Sequence, residues 1–198
     1  MTNKMLFEIS WEVSNLVGGI HTVLASKINH AKKYAHTYYT LGPYKNTEEF
    51  EKEDLPGLFI PLYEELKQIG ITIHYGKWVT NNQEAQTILV ELTGFESESN
   101  LIKAKLWEYY QIDSLNTNWF DFDEVMTWSW ACGIVCYKIT EQLNSNVENN
   151  DAIIHTHEWM SSGAVFYFDI LKQEQQLEQN IKTVFTTHAT MLGRAYYG

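Results

Sequence analysis

Short apolar runs of β character alternate with stretches of helical periodicity along this 198-residue chain, and that alternation restricts the possible folds more than any other feature. Met5 to Ile9 is the first run, and after a polar stretch Gly18-Gly19-Ile20 opens a helical pattern carried by Val23, Leu24, Ile28 and Ala31. Tyr38 to Leu41 reads as a second strand that stops at Gly42-Pro43, and the acidic stretch Glu48 to Asp54 reads as a solvated loop or surface helix. Leu58 to Ile69 predicts a helix ended by Gly70, followed by strands over Ile71 to Tyr75 and Thr87 to Leu92. Two helices follow, Asn100 to Tyr110 and Phe122 to Leu143, the second apolar on most faces and therefore expected deep inside. Asn144 to Asn150 reads as a loop, and Ala152 to Ile154 and Thr183 to Thr186 as two more strands flanking a helix. The expected fold is α/β: a Rossmann-like, doubly wound parallel sheet with helices on both faces.

With 44% hydrophobic residues the chain can bury one sizeable core. No repeat and no Pro- or Gly-rich linker divides it, so residues 1–198 are expected to be a single domain. Thr190 to Gly198 follows a strand without a covering helix, which reads as a chain cut from something longer. The net charge of −11 opposes nucleic acid and anionic membranes, both of which need a basic face, but leaves a neutral polymer as an easy partner. Cys132 and Cys136 are too few for a disulfide framework or a zinc site. The N-terminus lacks a signal-peptide pattern, and no apolar stretch reaches the roughly 18 residues of a membrane span. A soluble, cytoplasmic protein is expected.

In a doubly wound sheet ligands gather outside the carboxyl ends of the strands. The glycine turn, His155 to Trp159 and Thr186 to Arg194 are all expected there. Gly18 and Gly19 stand where a helix N-terminus offers free N–H donors to a phosphate, although a glycine pair also serves as a plain tight turn. Strand alternation sends His155 and His157 to the same side. Two histidines and Glu158 are potential metal ligands, but the spacing is not that of a zincin and no third ligand is evident nearby; structural hydrogen bonding and substrate contact remain open. His188 and Arg194 add an imidazole and a guanidinium suited to phosphate, with a surface ion pair as the alternative for Arg194. Trp128 and Trp130, within the long helix, read as packing residues. No nucleophile elbow, P-loop or nameable glycosidase carboxylate pair is present.

Taken in order, Phe7-Glu8 through Trp11-Glu12-Val13-Ser14-Asn15, Val17-Gly18-Gly19-Ile20, Leu41-Gly42-Pro43, Tyr75-Gly76-Lys77-Trp78, Lys105-Leu106-Trp107, Ile154 to Met160 and Phe185 to Arg194 resemble successive blocks of the fungal and animal type glycogen synthases. The resemblance implies the first lobe of a GT-B glycosyltransferase that transfers glucose, with retention, from a nucleotide sugar to an α-1,4-glucan. It implies UDP-glucose as the favoured donor and no metal or other cofactor. By the same resemblance Gly18 and Gly19 approach the donor, His157 takes the catalytic position against the sugar hydroxyls, and Arg194 lies in the cleft; His188, at the end of the same strand, is taken with Arg194 as a substrate-binding candidate. The nucleotide-binding lobe is expected to be absent, which would leave the isolated chain inactive. Family members carry Lys or Arg before Val-Gly-Gly, where this chain has Leu16; losing such a charge-assisted contact costs roughly 1.5–3 kcal/mol. That departure motivates the alternative of a non-catalytic glucan-binding or regulatory module with the same fold.

Overall fold

A computed structural model describes residues 4–45, 47–117, 120–145, 151–178 and 180–188. Within them the chain runs β1 (Lys4–Ile9), α1 (Gly19–Tyr34), β2 (Thr37–Pro43), β3 (Phe50–Lys52), α2 (Ile60–Gln68), β4 (Ile71–Thr80), β5 (Gln83–Leu92), α3 (Ser99–Tyr110), α4 (Phe120–Asn144), β6 (Asp151–His157), α5 (Ser162–Gln173) and β7 (Ile181–Thr186). The strands form one sheet in the order β3-β4-β5-β2-β1-β6-β7. Five of them, from β5 to β7 across the sheet, are mutually parallel.

The other edge departs from the parallel sheet expected from sequence. β4 runs antiparallel to β5 from Ile71↔Leu92 to Thr80↔Gln83, and β3 adds antiparallel to β4. A two-residue turn at Asn81-Asn82, both at positive φ (47° and 59°), closes this hairpin, as asparagine tolerates in a tight β-turn. The acidic stretch expected as loop or surface helix therefore contains an edge strand. Its alternating exposed charges, Glu51 and Lys52, suit an edge that must not recruit another chain.

Alternation along β1 divides its side chains between two cores. Met5, Phe7 and Ile9 join the large cluster under α2, α3, α4 and α5, whereas Leu6 packs with α1 residues Leu24 and Ile28 on the opposite face. Helices cover both faces, as the sequence predicts. The chain moves from β1 to β2 in one direction across the sheet and from β6 to β7 in the other. Crossovers of one hand then require α1 and α5 on opposite faces, as found. α4 lies deep in the large cluster, with Trp128, Cys132, Val135, Cys136 and Ile139 buried, and both cysteines free. Gly163 lets α5 approach α4 closely: its N–H donates to Ser129 Oγ (2.9 Å), and a Cβ there would stand 2.6 Å from the Met126 carbonyl oxygen. Among the described residues no helix is long and apolar enough to cross a membrane.

Candidate functional site

The sheet changes winding direction between β1 and β6, and the carboxyl ends on either side of such a switch leave a crevice that no crossover covers. β6 extends further than its apolar run suggests, to His157, so both histidines lie within the strand rather than after it. The parallel register sets Glu8 of β1 beside His155 and sets His157 beside Thr186 of β7. Period-two alternation then turns His155 and His157 to the α1 face, with ring centroids 4.2 Å apart.

Glu8 is the centre of this cluster. Its side chain has no solvent exposure, and Oε1 lies 3.3 Å from both His155 Nδ1 and His157 Nε2. Lys27, from the third turn of α1, forms an ion pair with the same oxygen, and the Tyr38 hydroxyl donates to Oε2 (2.6 Å). Burial by itself would push the Glu8 carboxyl up. Hydrogen bonds from both histidines and the Lys27 charge outweigh it, holding the carboxyl well below the usual carboxylate range. Burial pushes the Tyr38 pKa up, reinforced by the Glu8 charge, so the phenol stays a donor.

His157 is 1% exposed and engages both ring nitrogens. An ionised Glu8 only accepts, so Nε2 carries the hydrogen, and Nδ1 accepts from His188 Nε2 at 3.0 Å. Burial lowers the His157 pKa, partly opposed by Glu8, which favours this neutral tautomer. A line of contacts thus leads from exposed His188 through His157 to buried Glu8. His155 Nε2 is paired with Thr186 Oγ1 (2.8 Å).

Glu8, His155 and His157 present one donor atom each within 4.8 Å of one another, a set able to hold a metal ion. The third donor that the sequence did not reveal is Glu8, 147 positions before His155 by number (155 minus 8) and adjacent to it only through strand pairing. The cation already present is the Lys27 ammonium, 3.5 Å from His155 Nδ1. Glu158, the acid of the sequence motif, lies elsewhere: its carboxylate accepts the His188 backbone N–H and the Thr187 hydroxyl. It also sits at φ 64°, ψ 170°, a region that glycine almost alone occupies and that costs other residues roughly 1–3 kcal/mol. Its N–H donates to the Thr186 carbonyl and its own carbonyl accepts from Ser161 Oγ, and these bonds hold the turn that ends β6.

The glycine turn is built differently from a bare phosphate cradle. Glu12 Oε2 accepts the N–H groups of Gly18 (3.0 Å) and His21 (2.9 Å), so a side chain of the protein supplies the anion at the start of α1. A Cβ at Gly18 would stand 3.0 Å from Glu12 Oε1, whereas one at Gly19 would meet nothing within 4 Å. Gly18 therefore makes room for Glu12, and Gly19 leaves open space at the helix start. Leu16 is 72% exposed beside them. Arg194 lies outside the described residues.

Gly18, Gly19, His157 and His188 thus come to one end of the sheet. Glu8, Lys27 and Glu12 join them without having been singled out as site residues. An isolated carboxylate in the strand pattern Met-Leu-Phe-Glu-Ile was the available signal for Glu8, because a charge inside a buried strand needs partners.

A family model for glycogen synthase matches residues 8–197. The chain is 32% identical, over 98% of its length, to the glycogen [starch] synthase of Dictyostelium discoideum, of which it covers 21%. It is 32% identical over 98% of its length to isoform 1 of Saccharomyces cerevisiae, covering 28%, and 26% identical over 96% to the liver protein of Mus musculus, also covering 26%. It therefore spans between about a fifth and a little over a quarter of the curated relatives it matches. With a match that extends from Glu8 in the first strand through His157 and His188, the chain belongs to the glycogen synthase family.

Proposed function

We propose that this chain is the first lobe of a retaining glucosyltransferase that extends an α-1,4-glucan from a nucleotide sugar, with UDP-glucose as the favoured donor and the cytoplasm as its compartment. The observation that carries the reading is the meeting of the glycine turn, His157 and His188 at the β1/β6 winding change. The carboxyl ends of β1 and β6 face the donor sugar, and a second lobe, with a sequence of its own, supplies the groups that hold the diphosphate. Arg194 is a phosphate-binding residue in this reading.

His157 has a definite role here. Glu8 fixes its tautomer and orientation, which leaves Nδ1 as an acceptor. A hydroxyl of the transferred glucose donates to that nitrogen in place of His188 Nε2, so His188 moves aside as the sugar enters. Orientation set before binding reduces the cost of reaching the transition state. Gly19 leaves room for the sugar or its phosphate at the N-terminal end of α1, whose dipole favours negative charge.

The second reading, a glucan-binding or regulatory module, is favoured by two observations. Glu12 already engages two N–H groups of the glycine turn, and Leu16 stands in place of a cation. Incorporation of labelled glucose into glycogen by the full-length protein, with UDP-glucose and ADP-glucose in parallel, separates the two. Transfer that falls about tenfold or more in kcat on His157→Ala supports the enzyme. Glycogen binding with neither transfer nor donor affinity supports the module.

A further inference from the structure

A second polar cluster stands beside the glycine turn, where the antiparallel edge of the sheet packs with α1. Glu49, the residue before β3, reaches His21 in the first turn of α1. Its Oε2 lies 2.7 Å from His21 Nε2 and accepts the Trp78 indole N–H at 3.0 Å, while Oε1 accepts the Thr80 hydroxyl at 3.1 Å. The Val79 N–H donates to the Glu49 carbonyl at 2.8 Å, so the carboxylate is carried by the sheet edge. His21 is 4% exposed, and its ring meets Trp78 edge-on with centroids 5.1 Å apart.

Burial by itself would raise the Glu49 carboxyl, but hydrogen bonds from His21 and Trp78 outweigh it and hold the group below the usual carboxylate range. An ionised carboxylate only accepts, so His21 Nε2 carries the hydrogen. Bonds to a charged acceptor are stronger than those between neutral groups, which makes this contact a firm tie between β3 and the start of α1.

The same segment makes a second tie. The Thr47 and Ser14 hydroxyls share a hydrogen bond of 2.8 Å. Ser14 is buried and stands at φ 52°, a left-handed conformation that a residue other than glycine keeps only where its surroundings hold it. Ser14 precedes the glycine turn and His21 follows it, so the segment from Thr47 to Glu49 grips both flanks. Leu16 and Val17, between those flanks, are exposed, and burial therefore does not place the turn. His21 also gives its backbone N–H to the Glu12 oxygen that accepts Gly18. Whatever fixes the His21 side chain thus steadies the contact between Glu12 and Gly18 as well.

We infer that His21, Glu49 and Thr47 are positioning residues for the sugar nucleotide: they clamp the glycine turn to the β3–β4 edge in the arrangement that receives the donor. The inference rests on the proposed glucan-extending function and adds to it the residues that set donor affinity without touching the donor. Releasing the clamp lets the turn occupy other arrangements, and apparent affinity falls by the fraction of molecules left in the competent one. A bound donor restores that arrangement, so the rate at saturation is kept.

Two variants test it in the full-length protein, read out by kcat and by KM for the sugar nucleotide and for glycogen. His21→Phe keeps a ring against Trp78 and deletes the hydrogen bond to Glu49, whereas Thr47→Val keeps the side-chain volume and deletes the bond to Ser14. Each is expected to raise KM for the sugar nucleotide about fivefold, the population change that one lost net hydrogen bond allows, with kcat and KM for glycogen unchanged. His21→Gln, whose amide can still donate to Glu49, should recover most of the affinity. A merely structural role would lower the melting temperature and leave both KM values alone. Unchanged KM for the sugar nucleotide in both variants therefore overturns the clamp and leaves the functional reading standing. Absence of both transfer and sugar-nucleotide binding in the wild-type protein overturns that reading and the clamp with it.

Discussion

Glu12 Oε2 accepts the backbone N–H of Gly18 at 3.0 Å, across a loop of the chain's own making, and extends the same oxygen to His21. The N-cap residue of α1 is Gly18, which has no side chain with which to cap, and the first helical turn contains no acid. Glu12 supplies what both lack: an acceptor for orphaned donors and a negative charge at the positive end of the helix dipole.

Glu12→Ala is therefore expected to destabilise the protein by about 1–2 kcal/mol, the usual loss for a removed cap, with a smaller loss for Glu12→Gln. Denaturant midpoints at constant m-value measure this. Equal losses for the two variants would show that Glu12 acts through packing rather than as an acceptor.

Stability should fall on acidification through the Glu8 cluster. Burial keeps His157 neutral, so its contribution is complete above the unfolded value of about 6.5 and is lost as pH drops through the lower folded value. Glu8, held low mainly against the effect of burial by its histidine and lysine partners, adds a second loss once pH falls below the ordinary carboxylate value near 4.5. Melting temperatures between pH 8 and pH 2 should decline in that order. His157→Gln, whose amide can still donate to Glu8, should flatten the upper part of the curve and leave the lower part.

Lys27→Met leaves Glu8 buried with one charge fewer to compensate it. The lysine is about one-third exposed, so water screens part of the interaction, and an expected loss of about 2 kcal/mol lies below the 3–5 kcal/mol of a fully buried pair. Adding Glu8→Gln should recover much of that loss. A double-mutant cycle in denaturant measures the coupling, and additive losses would show that the pair is not coupled.

Gly163→Ala should cost about 1–3 kcal/mol by overpacking. The added methyl would meet the Met126 carbonyl oxygen at 2.6 Å and the Trp130 nitrogen at 2.9 Å, both on the rigid backbone of α4. Gly19→Ala, where a Cβ meets nothing within 4 Å, is the control and should leave the melting temperature almost unchanged. The comparison separates a glycine needed for helix packing from one that leaves space beside the site.

Periodicity in the sequence determined most of the elements and their faces. The three-to-four spacing of Leu24, Ile28 and Ala31 announces α1, and the period of two places His155 and His157 together before any neighbour is known. Local chemistry also marks the glycine turn and the apolar interior helix that became α4. Tertiary structure decided which strands lie side by side, in what register and in which direction. Pairing β1 with β6 brings Glu8 to the histidines, and a slip of one residue would turn it to the opposite core. The antiparallel β4 and the strand inside the acidic stretch are likewise choices of pairing, since an alternating run looks the same in either direction. Glu12 at the start of α1, Lys27 beside Glu8 and Glu49 beside His21 were hidden for the same reason. Their partners come from separate elements, and local sequence specifies an element's shape and buried face but not which distant side chain will meet it there.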